Sequence, residues 1–497
     1  FGVKACKTNG NIKFDINNTE ADLSAIASES PLKIKAKIKG QNADLELNIP
    51  KLNPNLLLQN LNYNSTDSLP FVSLVARYKG SVSDIEYNKI CLVSKIIASN
   101  PRSDLKFTSG EFSINSGKSY IKNLKGYIDY PQNSFEADLK INNTFDNYPK
   151  ATGFVHLRTP DVKLLNKLFM HSYMPKNIRE FLKNIEFRKG AVDCLFKISD
   201  NKITTSSDLS GIAVTYVPTG LPLEVVNGSF SIKNNDLIFN KLNLLADKMP
   251  ILADGEVKNI FGKRTFDFYI NSKPQQEFID KYVNKKQVYP LKIKGDIVCW
   301  AKLKGNENNF DLKSSIYLAK GASIYHYGAT IGDIENSILI DADTKVIDKH
   351  SLKIKEFVYD KLIESLNGKQ TRLNLVDASG GIDLLNDDFI FKDLIIKTSN
   401  PADARIFNII FRKPNIKQGL FTSNIKINGR AVSPHITGDF HIFETNIPFL
   451  DTMLKNINIV FKDRTITFKA KGEVMGNDLL IEGVLKNKLS SPYVSST

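Results

Sequence analysis

The chain has 497 residues, 42% hydrophobic and 24% charged, with 67 Lys and Arg against 53 Asp and Glu for a net charge of +14. That composition excludes a disordered chain, no apolar run reaches the roughly eighteen residues of a membrane helix, and no charged-then-apolar leader opens it. The length admits two to four ordinary domains or one extended repeat array.

Period-two alternation begins early. In PLKIKAKIKG (31–40) Leu32, Ile34, Ala36 and Ile38 alternate with lysines, which predicts a strand with one apolar and one solvated face. A sixteen-residue pattern then recurs three times: GEFSINSGKSYIKNLK from Gly110, GSFSIKNNDLIFNKLN from Gly228 and GGIDLLNDDFIFKDLI from Gly380. Aligned on the glycine, Phe112, Phe230 and Ile382 coincide, as do Ile114, Ile232 and Leu384; Tyr120, Ile238 and Ile390; Ile121, Phe239 and Phe391; and Leu124, Leu242 and Leu394. Each copy reads as a hairpin around a polar turn. A lone hairpin cannot bury its apolar side, so the repeat predicts a long stacked sheet.

Two segments break the alternation. Thr159 to Asn184 places Val162, Leu165, Leu168 and Phe169 at helical spacing, and a second helix is expected from Pro175 with Ile178, Phe181, Leu182 and Ile185 inward. Pro274 to Val283 offers Phe278, Ile279 and Tyr282 as a short apolar stripe. Both are expected to cover an edge or an end of the sheet. Further on, Leu352 and Ile354 alternate with lysines. Ile457, Ile459 and Phe461 precede a turn followed by Ile466, Phe468 and Ala470, a further hairpin. Sheet segments are therefore expected at 1–158, 187–273 and 285–497, separated by a helical insertion at 159–186 and a short helix at 274–284. Because the sequence starts at Phe1 and stops within a strand-like SSPYVSST, it is read as an excerpt whose last segment continues further.

The segment MPKNIREFLKN followed by FRKGAVDCLFKI (187–198) resembles the helix-then-strand signature of the YhdP-like branch of the AsmA-like superfamily. The stretch 428–474 is similar to the repeating region of the same superfamily, TamB-like members included, through Pro434, Gly438, Pro448, Phe449 and Gly472. The resemblance covers roughly residue 100 to the end. It implies a bridge-like lipid transfer protein: a mostly β fold in which a long, twisted antiparallel sheet curls into an open apolar groove. Such a protein is anchored in the inner membrane, here through a segment outside this sequence. It extends through the periplasm toward the outer membrane and contributes to outer-membrane biogenesis by carrying phospholipids.

The partners implied are phospholipid acyl chains and the two membranes. The residues expected to line the groove are Phe112, Ile114, Phe230, Ile232, Ile238, Ile382, Leu384, Ile390, Ile457, Ile459, Phe461, Ile466 and Phe468. Alternation alone equally fits the closed core of a sandwich or barrel, and one bulge reverses the parity of every later residue.

The basic balance favours anionic partners, yet the lysines sit mostly on the polar strand faces, and no basic cluster with interleaved aromatics suggests nucleic acid. The four cysteines, Cys6, Cys91, Cys194 and Cys299, form no CxxC and read as buried free thiols. No GxSxG, HExxH, P-loop or GxGxxG is present, and His435 with His441 lack a clear third ligand, so neither an enzyme, a cofactor nor a metal is expected. Two other classes stay open. A structural or adhesive β-rich envelope protein would have a closed core. An outer-membrane β-barrel would need uniform strands and aromatic girdles.

Overall fold

The fold is taken from a computed structural model. It describes all residues except 1–4, 28, 57–68, 102, 145–148, 171–178, 181, 261, 365–369, 386–387, 412–415, 432–433, 448–451, 463–464, 475–476, 488–493 and 497. The protein is mostly β, with 71% of the described residues in strands and 6% in helices. The chain divides into two compact units, Phe1–Phe239 with Asn259–Gly262 and Asn240–Lys258 with Lys263–Thr497.

In the first unit a meander of hairpins runs from Ala5–Phe14 to Lys150–Thr159, each strand pairing antiparallel with the one before it. Lys150–Thr159 then pairs with Val192–Ser199, which pairs with Lys202–Leu209, which pairs with Leu221–Lys233. In the second unit a similar meander runs from Met249–Lys258 through Thr265–Ser272, Ile297–Gly305 and Phe310–Leu318 and on to Asn477–Asn487. A separate three-stranded sheet, Lys292–Lys294, Ser323–His326 and Ala329–Gly332, accompanies it. The sheet is antiparallel and not closed into a barrel.

Two-residue turns set the register. Ser116 and Gly117 (φ 49° and 72°), like Asn234 and Asn235 (φ 54° and 71°), take the left-handed conformations of a type I′ hairpin, which Asn and Gly tolerate best. The glycine repeat has a different job. Gly110, Gly228 and Gly380 adopt φ of 156°, 144° and 137°, and the residues thirteen places on, Asn123, Lys241 and Asp393, adopt φ of 51°, 46° and 49°. In the first and third copies these positions mark bulges. The pairing shifts between Ser109 and Glu111 and between Ser379 and Gly381, and again between Ile121 and Leu124 and between Phe391 and Leu394. A side chain at Gly380 would lie 2.5 Å from the Asp393 carbonyl oxygen, so the position admits only glycine without backbone movement.

In each copy the residue thirteen places after the glycine is held by one acceptor on the next strand. The Asn123, Lys241 and Asp393 amides donate to Asp138 Oδ1 (2.6 Å), Asp254 Oδ1 (2.6 Å) and Asn428 Oδ1 (2.7 Å). Bulges bend strands and raise their twist, so the repeat sets the curvature of the sheet at fixed points along it.

Four of the helical segments share a second device. Helix α1 is Lys163–Met170, α2 is Gln276–Tyr282 and α3 is Ile406–Phe411; residues 54–56 form one more helical turn. In or just after each, an asparagine amide binds both backbone groups of one residue downstream. Asn55 holds Leu69 (2.9 and 3.2 Å), Asn166 holds Phe187 (2.9 and 2.9 Å), Asn284 holds Leu291 (2.8 and 2.7 Å) and Asn408 holds Ile416 (2.7 and 2.9 Å). The amide imitates a strand neighbour, satisfying an N–H and a C=O of the chain beyond the helical segment.

Two of these segments, α1 and α2, fall where helical spacing placed them, and Val162, Leu165 and Ile279 are buried. Ile185 does not belong to a helix. It opens the strand Ile185–Lys189, whose pairing with Ile212–Tyr216 satisfies its backbone better than another helical turn would. Ile178, Phe181, Pro448 and Phe449 lie outside the described residues. The turn at 54–56 and α3 were not anticipated.

Candidate functional site

Directly opposed residues in an antiparallel pair project to the same face, so the register decides which of the expected lining residues stand together. In the first unit Phe112 faces Ile121, Ile121 faces Leu139, Leu139 faces Gly153, Gly153 faces Ile198 and Ile198 faces Ile203. Ile203 shares its parity with Thr205, which faces Ile232, while Phe230 faces Ser207. Phe112, Ile114, Phe230 and Ile232 thus occupy one face of one sheet. In the other direction that face continues through Leu92, Ala76, Leu47, Ile34 and Leu23.

In the second unit Ile382 faces Phe391 and Leu384 faces Phe389. Ile457, Ile459 and Phe461 face Ala470, Phe468 and Ile466 on one side and Ile442, Phe440 and Gly438 on the other. The same face runs back through Ile425 and Ile396, Ala378, Phe357, Ala342, Ser314 and Ala301 to Ile270.

Ile390 is not brought to this face. It opposes Asp383 and Arg430, because the pairing of Leu385 with Asp388 sets Ile382 against Phe391 and leaves the residue between Phe389 and Phe391 on the other side. Ile238 occupies the same position of the repeat. The turn length was the signal: counting two residues per turn selects Ile121, Phe239 and Phe391 over Tyr120, Ile238 and Ile390.

How far this face is covered varies. Phe112 and Leu384 remain 37% and 45% exposed, whereas Leu318, Ile338, Phe421 and Ile427 are essentially inaccessible. The covered part lies in the second unit, where Phe407 of α3 packs edge-on against Phe421 (4.7 Å between ring centres) and Phe440 (4.9 Å). Ile293, Ile324 and Ile331 of the small sheet pack on the same cluster.

The opposite face carries charges that are paired across strands. Lys37 meets Glu20 (3.3 Å), Arg77 meets Glu46 (3.0 Å), Lys313 meets Asp343 (3.0 Å) and Lys355 meets both Asp311 (2.8 Å) and Asp343 (3.3 Å). The hydrogen bond from Lys313 holds the Asp343 carboxyl below its ordinary range, and that from Lys355 does the same for Asp311. Lys37 and Lys355 of the alternating strands are in this way committed to neighbouring carboxylates.

Sequence reading missed one polar cluster. His156 bridges Glu136 on the preceding strand (Nδ1 to Oε1, 3.3 Å) and Asp193 on the following one (Nε2 to Oδ1, 2.6 Å), beside a cavity of about 360 Å³. Its bond to Asp193, with Arg158 adding charge, lowers that carboxyl. Nothing in the local sequence links three residues spread over 136–193; only the register does.

Cys91, Cys194 and Cys299 are free, and burial pushes the Cys194 and Cys299 thiols up. Among the described residues no three His, Cys, Asp or Glu side chains are arranged to hold a metal, and no helix is long and apolar enough to cross a membrane. Compared with protein-family models, with curated proteins and with solved structures, the chain finds no match.

Proposed function

We propose that this protein holds phospholipids by their acyl chains along the apolar face of its sheets and conducts them across the periplasm between the inner and outer membranes. The observation that carries the reading is the register: in each unit many of the opposed residues of one face are Ile, Leu, Phe and Ala, with Gly, Ser and Thr among them, while ion pairs cross the strands of the other face. An acyl chain with about fifteen methylenes loses roughly 12 kcal/mol on passing into water, at about 0.8 kcal/mol each. A face that continues from strand to strand lowers that penalty everywhere without a tight site anywhere. The bulges locked by Asp138 and Asn428 suit this role, because curvature converts a flat sheet into a trough.

A second reading, a structural envelope protein with a dry core, draws on the cover over Phe421 and Phe440 in the second unit. The two separate in one experiment. Chain purified without detergent and extracted with organic solvent should release phospholipid detectable by mass spectrometry; a lipid-free extract from correctly folded protein supports the dry core instead.

A further inference from the structure

In the second unit a cleft of about 640 Å³ opens between the loop after α2, the turn joining Ser323–His326 to Ala329–Gly332, the strand Asp388–Lys397 and α3. Its size falls in the range of small-molecule sites, about 300–1,000 Å³. Val283, Val288, Phe389 and Ile409 line it together with Tyr289 and Tyr327, whose rings lie 5.0 Å apart. Val288 is 86% exposed, and Val283 and Tyr289 are open as well, so one short loop presents three large apolar side chains that the fold itself does not cover.

Gln287 and His326 complete the lining, which contains no carboxylate, ammonium or guanidinium, although charges are paired across strands in the same unit. Phe389 joins the cleft to the sheet: it lines the cleft, packs on the main apolar cluster and opposes Leu384, which is itself 45% exposed. An aromatic-walled pocket without a carboxylate, ammonium or guanidinium, adjoining an apolar face, favours a hydrocarbon chain over a charged headgroup.

We propose that this cleft is a side pocket taking one acyl chain of a phospholipid, so that lipid pauses here instead of sliding past. The inference rests on the acyl-chain reading of the sheet face. The test uses the full chain with phosphatidylethanolamine and phosphatidylglycerol vesicles doped with a phospholipid bearing a diazirine on one acyl chain, followed by irradiation and peptide mass spectrometry. Adducts are expected on peptides containing Val288, Tyr289 and Tyr327, and on the sheet-face pair Phe268 and Leu303.

Val288→Asp should cut the cleft adducts about tenfold and leave those at Phe268 and Leu303 unchanged. The exposure of Val288 makes a folding defect unexpected, and amide exchange on the same sample checks it. Tyr289→Ala is the second variant. Face adducts without cleft adducts overturn the pocket and leave the transport reading standing. Adducts at neither place overturn both, and cleft adducts indifferent to both substitutions reduce the pocket to surface labelling.

Discussion

The same one-sided strand pattern ends in different states of cover in the two units. In the first, only a small group, Ala25, Leu32, Ile49 and Leu52, packs into a buried cluster, other buried residues of the face such as Ala43, Ala137 and Cys194 stand outside it, and Phe112 stays partly open. In the second, Ile297, Leu318, Ile338, Tyr359, Val376 and Phe421 form a continuous buried cluster beneath α3 and the small sheet. Alternation creates a face in both. Whether that face is a core or a surface depends on the short segments laid over it, so local inserts divide the sheet into structural and open stretches.

The largest effect expected from this difference is at Phe407. Phe407→Ala removes the ring between Phe421 and Phe440 and should cost about 3–5 kcal/mol in denaturant unfolding, read from Trp300 in the same unit. Phe112→Ala, on the partly open face, should cost about 1 kcal/mol or less. Equal losses would erase the distinction. Next come the amide clamps. Asn408→Ala strands the N–H and C=O of Ile416 in a buried place and should cost about 2–4 kcal/mol, with a smaller loss for the less buried Asn166→Ala; hydrogen exchange at Ile416 and Phe187 reports each locally.

Gly380→Ala forces a side chain against the Asp393 carbonyl at φ 137° and should cost about 1–3 kcal/mol, mostly as faster exchange around the bulge. The acid response of the second unit is a subtler probe. Burial works to raise the Asp333 carboxyl, but bonds from Lys361, Asn336 and two backbone amides hold it at about 2, below its ordinary 3.8. A depressed carboxyl contributes stability that is complete above its ordinary value and is lost as pH falls from about 4 to about 2. Lys361→Met should therefore move part of the acid unfolding of this unit to higher pH, and an unshifted Trp300 transition would show that the pair contributes nothing. The smallest effect is expected at Lys37. Its pair with Glu20 is exposed on both sides, and Lys37→Ala should leave the first unit's unfolding midpoint unchanged.

Much of the sheet was legible because hairpins are local. Lys33 to Lys39 alternate with apolar residues, and two-residue turns such as Ser116-Gly117 make the register readable over neighbouring strands. The cover was not. Residues 404–411, ARIFNIIF, are an apolar run short enough to pass for a strand, and only the capture of Ile416 by Asn408 and the packing of Phe407 across Phe421 make a helix of part of it. The glycine repeat was visible as a pattern but not as bulges, since its locks at Asp138, Asp254 and Asn428 lie on other strands. His156 escaped notice for the same reason. Ile390 was assigned the parity of its neighbours because turn length was not counted.

Central to the account is that one face of the sheet meets lipid and the other meets water. Photocrosslinking from single unnatural residues tests it most directly, with Ile232 and Phe461 as inward sites and Lys37 and Lys469 as outward ones, in protein isolated from cells. Phospholipid adducts at Ile232 and Phe461 with none at the lysines are predicted; adducts confined to the lysines, or absent from all four positions in folded protein, would contradict it.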